Sequence, residues 1–125
     1  MSGSIIGLGG VFFKSKDPSA LRQWYKEILE IPMEEWGTMM PISAYHAHFP
    51  DAYTVLSPFK ADSDYFKPSD KEFMINFIVS DLDDFIQKII AKGVPLEGNP
   101  VDDDYGKFAW LLDPEMNKIE LWEPK

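Results

Sequence analysis

Two stretches of the sequence place apolar residues at the spacing of one buried helix face. Each stretch carries them at positions i, i+3, i+4, i+7 and i+8. They are Leu21, Trp24, Tyr25, Ile28 and Leu29 in the first stretch, and Leu82, Phe85, Ile86, Ile89 and Ile90 in the second. Asp17-Pro18 precedes the first stretch and Ser80-Asp81 the second, and both pairs are typical of helix N-termini. The pattern predicts two helices that start about sixty residues apart, which is too long a period for most solenoids.

Short runs of strand-favouring residues surround both helices and are separated by turn residues. The predicted strands are residues 5–14, 33–36, 42–49 and 53–57 in the first half, and residues 73–79, 94–97, 108–112 and 119–122 in the second. A polar segment, residues 60–71, connects the halves. We therefore predict a single domain, residues 1–125, with one unit at about residues 5–59 and a duplicate at about 73–124. One helix covers only one face of each sheet, so the open faces should enclose a trough.

The last two predicted strands form a hairpin around Asp113-Pro114, because proline presets the backbone for a turn. Strand alternation places Glu120 on the face opposite Ile119 and Leu121. A carboxylate inside an apolar strand is costly unless it is exposed, paired or bound to a ligand. Glu120 is therefore the candidate catalytic residue, either as a general base or as an acceptor for a ligand hydroxyl or amine. The alternative is a structural carboxylate that water or a neighbouring tyrosine satisfies.

The composition excludes several classes of function. The chain has 12 basic and 21 acidic residues and a net charge of -9, which disfavours binding to nucleic acid or to anionic lipid. It contains no cysteine, which excludes disulfides and thiolate chemistry. No stretch approaches the roughly 20 apolar residues of a membrane span, and the N-terminus is unlike a signal peptide. We therefore expect a cytoplasmic protein without a membrane partner.

These features together resemble the vicinal oxygen chelate superfamily, which includes glyoxalase, the bleomycin- and fosfomycin-resistance proteins and the extradiol dioxygenases. The resemblance rests on the two strand-Asp-helix passages, residues 11–25 and 77–93, and on residues 113–121. The last of these is similar to the closing Asp-Pro-Asp-Gly-Asn…Ile-Glu-Leu signature of the family. The resemblance implies an α+β fold of two βαβββ modules that form a cupped mixed β-sheet with one helix per module. It also implies a homodimer.

The metal-binding members of this family take one ligand from each of four strand positions. The corresponding positions in this chain are Gly10, Val55, Met74 and Glu120. Only Glu120 offers a ligand atom suited to a hard cation, so we expect no metal centre and no cofactor. The alternative is a divalent metal (Zn, Mn, Fe or Ni) held by Glu120 with His46 and His48, which would share one face if residues 42–49 form a strand.

Two functional hypotheses follow from the resemblance. The first is a binding protein that holds a small, partly apolar molecule in the cup, as the bleomycin-resistance proteins do. The residues predicted to line the cup are Phe12, Trp36, His46, His48, Met74, Tyr105, Phe108, Trp110 and Glu120. The second is a metal-dependent lyase, isomerase or dioxygenase that uses His46, His48 and Glu120. A metal-free enzyme with Glu120 as the base lies between the two.

Overall fold

The computed structural model describes residues 3–125, and its centre is one mixed four-stranded sheet. The strands are β1 (Ile75–Ile78), β2 (Val101–Asp103), β3 (Gly106–Leu112) and β4 (Lys118–Pro124), and the helices are α1 (Pro18–Ile28), α2 (Ile42–His48) and α3 (Leu82–Ala91). The spatial order of the strands is β1-β4-β3-β2, with β1 parallel to β4 and the other neighbours antiparallel. The second half therefore forms a complete βαβββ unit, and the predicted α+β class with a mixed sheet is confirmed.

The two long helices begin where the sequence predicts. Asp17 accepts a hydrogen bond from the backbone N–H of Ala20, at 3.1 Å, and Asp81 accepts one from that of Asp84, at 3.2 Å. Each cap satisfies a backbone donor that the first helical turn leaves without a partner. After α3, Gly93 adopts a φ of +85°, which an L side chain rarely adopts. Among the helices of residues 3–125, none combines the length and the apolar character that a membrane span requires.

The hydrophobic core lies on one face of the sheet, where α1 and α3 both pack. Leu111 and Ile119 are paired across β3 and β4, and both are fully buried. The buried residues of the core cluster are Leu21, Tyr25, Leu29, Ile31, Leu82, Ile86, Ile89, Ala109, Leu111, Ile119 and Leu121. Both helices thus use the apolar stripes that the sequence predicts, except at Ile90, which is 50% exposed and lies outside the core. The opposite face of the sheet has no helix over it among these core contacts.

The predicted hairpin is confirmed, and its turn is built around a buried aspartate. Asp113 is 4% exposed and accepts hydrogen bonds from the Tyr25 hydroxyl at 2.8 Å and from the Asn117 side-chain amide at 2.7 Å. Its other oxygen accepts from the backbone N–H groups of Glu115, at 2.9 Å, and Asn117, at 3.0 Å. Asp113 therefore joins α1 to the hairpin.

Gly106 starts β3 with a φ of +133°, and a Cβ there would collide with the Glu123 carbonyl.

The strands predicted for the first half do not form, which corrects that part of the sequence analysis. Residues 5–14, 33–36 and 53–57 contain no strand, apart from an isolated bridge between Glu34 and Gly37. The prediction of a strand at residues 42–49 is wrong, because helix α2 occupies residues 42–48. A helix satisfies its backbone within one segment, whereas a strand needs a neighbour, and these residues have none in the described chain.

One strand of the second half is also displaced from its predicted position. Residues 94–97 were predicted as a strand, but only the Glu97 N–H bonds to the sheet, at the Trp110 carbonyl. The second strand of the unit is instead β2, which pairs with β3 from Val101. Gly98 adopts a φ of +72° between the two segments, so the extended path breaks there. The division into two modules around residues 60–71 stays a prediction.

The Tyr25–Asp113 contact should make stability fall at alkaline pH. Burial raises the pKa of Tyr25 above its ordinary value, and the charge of Asp113 and the hydrogen bond to it act in the same direction. The stabilisation is present below the unfolded pKa of about 10 and is lost as pH rises above it, by up to about 1.4 kcal/mol per pH unit. We expect Tyr25→Phe to remove this part of the pH dependence of the unfolding free energy. Urea unfolding of the parent protein and the variant between roughly pH 7 and 11 measures that dependence. The same pH dependence in both proteins would contradict the prediction.

Candidate functional site

The sheet face opposite the core carries the polar and aromatic side chains that could contact a ligand. Register places Asn76 of β1, Glu120 of β4 and Trp110 of β3 side by side across three strands. Phe108 and Trp122 form the next pair along β3 and β4, and alternation puts them on the same face as Glu120. A row of polar and aromatic side chains therefore lies on the face that the helices leave open.

Glu120 is the centre of this face and is held by three donors. Its Oε2 accepts hydrogen bonds from the Tyr65 hydroxyl, at 2.7 Å, and the Trp110 indole Nε1, at 2.8 Å. Its Oε1 accepts one from the Asn76 amide, at 2.7 Å. The residue is 8% exposed, so these bonds offset the cost of removing a carboxylate from water. A carboxylate offers about four acceptor positions, so Oε1 keeps one for a further donor.

Tyr65 brings the polar connecting segment onto the sheet. Its hydroxyl reaches Glu120, and its ring meets the Trp110 ring edge to face with centroids 6.4 Å apart. Lys118 donates to the Tyr65 carbonyl at 2.6 Å, and its Nζ lies 5.3 Å from the Tyr65 ring centroid. Partial burial raises the pKa of Tyr65, and so do its hydrogen bond to Glu120 and the Glu120 charge. Tyr65 therefore remains a protonated donor to Glu120 at neutral pH.

The aromatic residues beside Glu120 form a stacked row. The Phe108 ring is nearly parallel to Trp110, at 11° and 6.4 Å between centroids, and to Trp122, at 6° and 6.1 Å. The Trp122 indole donates to the Tyr105 carbonyl at 3.0 Å, and the Tyr53 ring packs edge-on against Trp122. Phe108 and Trp110 are half-buried. The row thus presents flat aromatic surface next to a buried carboxylate.

Other residues predicted to line the cup lie outside this row. Phe12, Trp36 and the Tyr105 side chain are 94%, 68% and 71% exposed, and none of them makes a ring contact with Phe108 or Trp110 within residues 3–125. Met74 is half-buried and directly precedes β1. The described chain brings together Phe108, Trp110 and Glu120 but not Phe12 or Trp36.

His46 and His48 lie on helix α2 rather than on a strand, and both are exposed. His46 Nδ1 lies 2.9 Å from the Pro50 carbonyl oxygen, and His48 Nδ1 lies 3.3 Å from that of Ala44. Positions i and i+2 point about 200° apart on a helix, so the reason for expecting a two-histidine clamp no longer applies. No three potential metal-binding side chains of residues 3–125 lie grouped as a metal site requires.

The donors around Glu120 also argue against the alternative of a metal held by Glu120. Coordination needs free lone pairs directed at the ion, and Trp110, Tyr65 and Asn76 direct hydrogen atoms at three of the roughly four acceptor positions of the carboxylate, so Glu120 could offer at most one position, on Oε1. Gly10, Val55 and Met74 offer no hard oxygen or nitrogen ligand in their side chains. The residues present therefore do not fit a metal.

Sequence reasoning missed three residues of the site, namely Tyr65, Asn76 and Lys118. Asn76 could have been found, because it is the polar residue of an otherwise apolar predicted strand. Tyr65-Phe66 is an aromatic pair within a polar segment, which is a weaker signal of docking. Lys118 gave no signal, since a lysine at the end of a hairpin turn is common on a protein surface.

Solved structures share this architecture. The chain aligns over 94% of its length with 98% of a protein of unknown function from Agrobacterium tumefaciens str. C58, at a TM-score of 0.55 and 16% identity. It aligns over 87% of its length with 90% of a member of the glyoxalase/bleomycin resistance protein/dioxygenase superfamily from Sphaerobacter thermophilus DSM 20745, at a TM-score of 0.50 and 21% identity. The chain has the fold of that superfamily. The resemblance seen in the sequence is thereby confirmed at the level of the fold.

The superfamily fold is supported by structure rather than by sequence families. TnmS3, an antibiotic binding protein from Streptomyces sp. CB03234, is 27% identical, but the match spans 41% of each chain at a TM-score of 0.38 and carries no argument. No protein-family model matches the chain, and the comparison with curated proteins gives no match. The shared fold therefore does not identify a ligand, which has to be inferred from the side chains of the site.

Proposed function

We propose that this protein binds a small, partly apolar molecule on the open sheet face, with a flat portion against Phe108 and Trp110 and a donor group at Glu120. The observation that carries the proposal is Glu120, held by Trp110, Tyr65 and Asn76 with one acceptor position left on Oε1. Such a carboxylate beside stacked rings combines apolar surface with one convergent polar group, as ligand sites do. The acidic net charge favours a ligand whose donor is an ammonium group.

The site supports binding more than catalysis. A general base needs a lone pair in reach of the substrate proton, and three neighbouring donors already take three of the roughly four acceptor positions of Glu120. Both histidines are on α2 and neither contacts Glu120 in the described chain. The donor pattern therefore favours a hydrogen-bond acceptor over a proton-transfer role.

We expect Trp110→Ala to weaken ligand binding at least about tenfold, because it removes stacking surface worth roughly 1.5–3 kcal/mol. The measurement is quenching of tryptophan fluorescence by a panel of aromatic amines, with affinities confirmed by calorimetry. Trp110→Phe keeps a ring and should retain most of the affinity. Trp36→Phe removes an exposed fluorophore away from the row and should leave affinity unchanged. Equal affinity in Trp110→Ala and the parent would overturn the stacking role.

Glu120→Gln tests the polar half of the proposal. The amide keeps the size of the side chain but removes the charge, so a ligand with an ammonium group should lose more affinity than a neutral analogue of the same shape. The comparison of the two ligands separates a ligand contact from a general loosening of the site. Unchanged binding of both ligands by a folded Glu120→Gln variant would exclude Glu120 as a ligand acceptor.

The absence of a resident metal is part of the proposal and has its own test. Elemental analysis of protein purified without chelator, and again after incubation with Zn, Mn, Fe and Ni salts and desalting, should find no stoichiometric metal. About one equivalent per chain, lost in His46→Ala or Glu120→Gln, would instead favour the lyase, isomerase or dioxygenase alternative. The cytoplasmic location remains a prediction from the sequence.

A further inference from the structure

Among the strands of the described sheet, the open face carries a basic side chain that has no acidic partner. The strands contain two lysines, Lys107 on β3 and Lys118 on β4. Lys107 forms an ion pair with Asp83 of α3, at 2.8 Å, on the side of the sheet that the helices cover. Alternation places Lys118 on the opposite side, together with Glu120. Lys118 takes part in no ion pair among residues 3–125.

Tyr65 bonds both Lys118 and Glu120, but through two different groups. Its hydroxyl donates to Glu120 at 2.7 Å, whereas its carbonyl accepts from the Lys118 ammonium at 2.6 Å. The two opposite charges are therefore each bonded to the same residue rather than to one another. Charges of opposite sign on neighbouring positions of one sheet face normally attract each other. Their separation here leaves both of them accessible to a ligand.

The Trp110 ring brings the two charges to one surface. Its indole Nε1 donates to Glu120 at 2.8 Å, and the Lys118 Nζ lies 5.8 Å from its ring centroid. The same Nζ lies 5.3 Å from the Tyr65 ring centroid. These rings attract the ammonium charge but supply no oxygen acceptor for its hydrogen atoms. A molecule that stacks beside Trp110 therefore meets a carboxylate and an ammonium group at the same ring.

Both charged groups have hydrogen-bonding capacity left. A lysine ammonium has three N–H donors, and the Tyr65 carbonyl takes one of them. Glu120 keeps about one acceptor position, on Oε1, after its bonds to Tyr65, Trp110 and Asn76. Lys118 is half-buried, so an unpaired charge there is partly removed from water. The open face thus offers donors and an acceptor, each of them charged, beside the aromatic row.

We propose that the ligand is an aromatic zwitterion of the amino-acid type, whose ammonium group binds Glu120 and whose carboxylate binds Lys118. The inference rests on the proposed function and names the ligand class of the same site. A ligand with both groups gives each charge of the site a partner, whereas an aromatic amine leaves Lys118 without one. A purely acidic ligand would leave Glu120 unpaired and would be repelled by the net charge of -9.

A carboxylate fits this site better than a phosphate group. Lys118 supplies one positive charge, which balances a carboxylate but only about half of a phosphate at neutral pH. Phosphate sites add arginine side chains or backbone N–H groups of a helix N-terminus to a lysine. The strands that form the open face contain no arginine. The acidic group of the ligand is therefore assigned as a carboxylate.

Calorimetric titration of the full chain with matched phenyl compounds tests the proposal. Phenethylamine carries the ammonium group alone, hydrocinnamate carries the carboxylate alone, and phenylalanine and β-phenylalanine carry both at two different spacings. We expect at least one of the two zwitterions to bind the parent protein at least about tenfold more tightly than either singly charged compound, because it makes one more charged hydrogen bond.

Three lysine variants assign this advantage to Lys118. Lys118→Gln keeps an N–H donor for the Tyr65 carbonyl but removes the charge, so it should abolish the advantage of the zwitterion. Phenethylamine should bind that variant at least as well as it binds the parent, since a like charge has been removed. Lys118→Arg keeps the charge and should keep the advantage. Lys107→Gln is the matched control, because it removes one positive charge from the covered side of the same sheet, and it should also keep the advantage.

The outcomes separate this inference from the proposed function. Phenethylamine that binds as tightly as both zwitterions would overturn the inference and leave the proposed function intact. Hydrocinnamate that binds as tightly as they do would also overturn it, because the ammonium group would then be unused. An equal loss in Lys107→Gln and Lys118→Gln would overturn it as an effect of overall charge. If Lys118→Gln fails to fold, Lys118→Arg and the titrations of the parent still decide. Binding of none of these compounds, nor of the aromatic amines, would reject the proposed function and this inference together.

Discussion

Asp113→Ala is expected to lower the free energy of unfolding by about 3–5 kcal/mol, because the substitution leaves buried donors without an acceptor. Asp113 is 4% exposed and accepts four hydrogen bonds, from Tyr25, Glu115 and twice from Asn117. The Asn117 side chain is itself 1% exposed, so water cannot replace the lost acceptor without opening the turn. Because Tyr25 belongs to α1, the loss should loosen both the hairpin and the docking of that helix.

Chemical unfolding followed by tryptophan fluorescence measures this effect, with two further variants as references. Asp113→Asn keeps one carbonyl oxygen and should cost less than Asp113→Ala. Asp102→Ala removes an exposed carboxylate whose ion pair with Lys125 spans 3.6 Å, and it should change stability by less than about 0.5 kcal/mol. If Asp113→Ala lowered the free energy of unfolding no more than Asp102→Ala, the contacts of Asp113 would not stabilise the hairpin and the docking of α1.

Leu111→Ala is expected to cost about 3–4 kcal/mol, because it opens a cavity between the sheet and the helices. Leu111 has no exposed surface, belongs to the core cluster with residues of α1 and α3, and is paired with the fully buried Ile119. The backbone pairing of β3 with β4 fixes its position, so the surroundings cannot easily collapse into the space. The lost stability combines the burial free energy of the deleted carbon atoms with the cost of the cavity that they leave.

Equilibrium unfolding in urea measures the change, and Ile90→Ala is the control. Ile90 carries the same number of carbon atoms but is 50% exposed on α3, so its truncation should cost less than half as much. An unchanged slope of the unfolding free energy with urea would show that the native and unfolded states keep their compactness. Equal costs for the two substitutions would contradict a core centred on this face of the sheet.

The parts of the fold that could be predicted from the sequence are those that depend on neighbours along the chain. The two long helices begin at Asp17 and Asp81, whose side chains cap backbone N–H groups three residues away. The hairpin depends on Asp113-Pro114 and Asn117, which interact within one turn. Trp110 was predicted to lie on the strand opposite Glu120, and the register of β3 with β4 pairs the two residues.

Residues 5–14 and 42–49 show where sequence reasoning fails. Their strand-favouring residues predict strands, but a strand forms only when another strand accepts its hydrogen bonds. In the described chain residues 5–14 lack that neighbour, and residues 42–48 instead close their hydrogen bonds within α2. Residue preference along the chain therefore identifies a candidate strand but not the strand with which it would pair.

The sequence by itself determined two capped amphipathic helices, a hairpin with a carboxylate, Glu120, inside an apolar strand, and an acidic chain without cysteine. These features rest on contacts within a few residues and on composition, so they can be read without coordinates. Only the tertiary structure decided that both helices share one face of the sheet, and that Tyr65 and Asn76 converge on Glu120 from 55 and 44 residues away. Such contacts depend on which strands become neighbours, and the energy that selects those neighbours comes from burial of the whole core rather than from any local pattern.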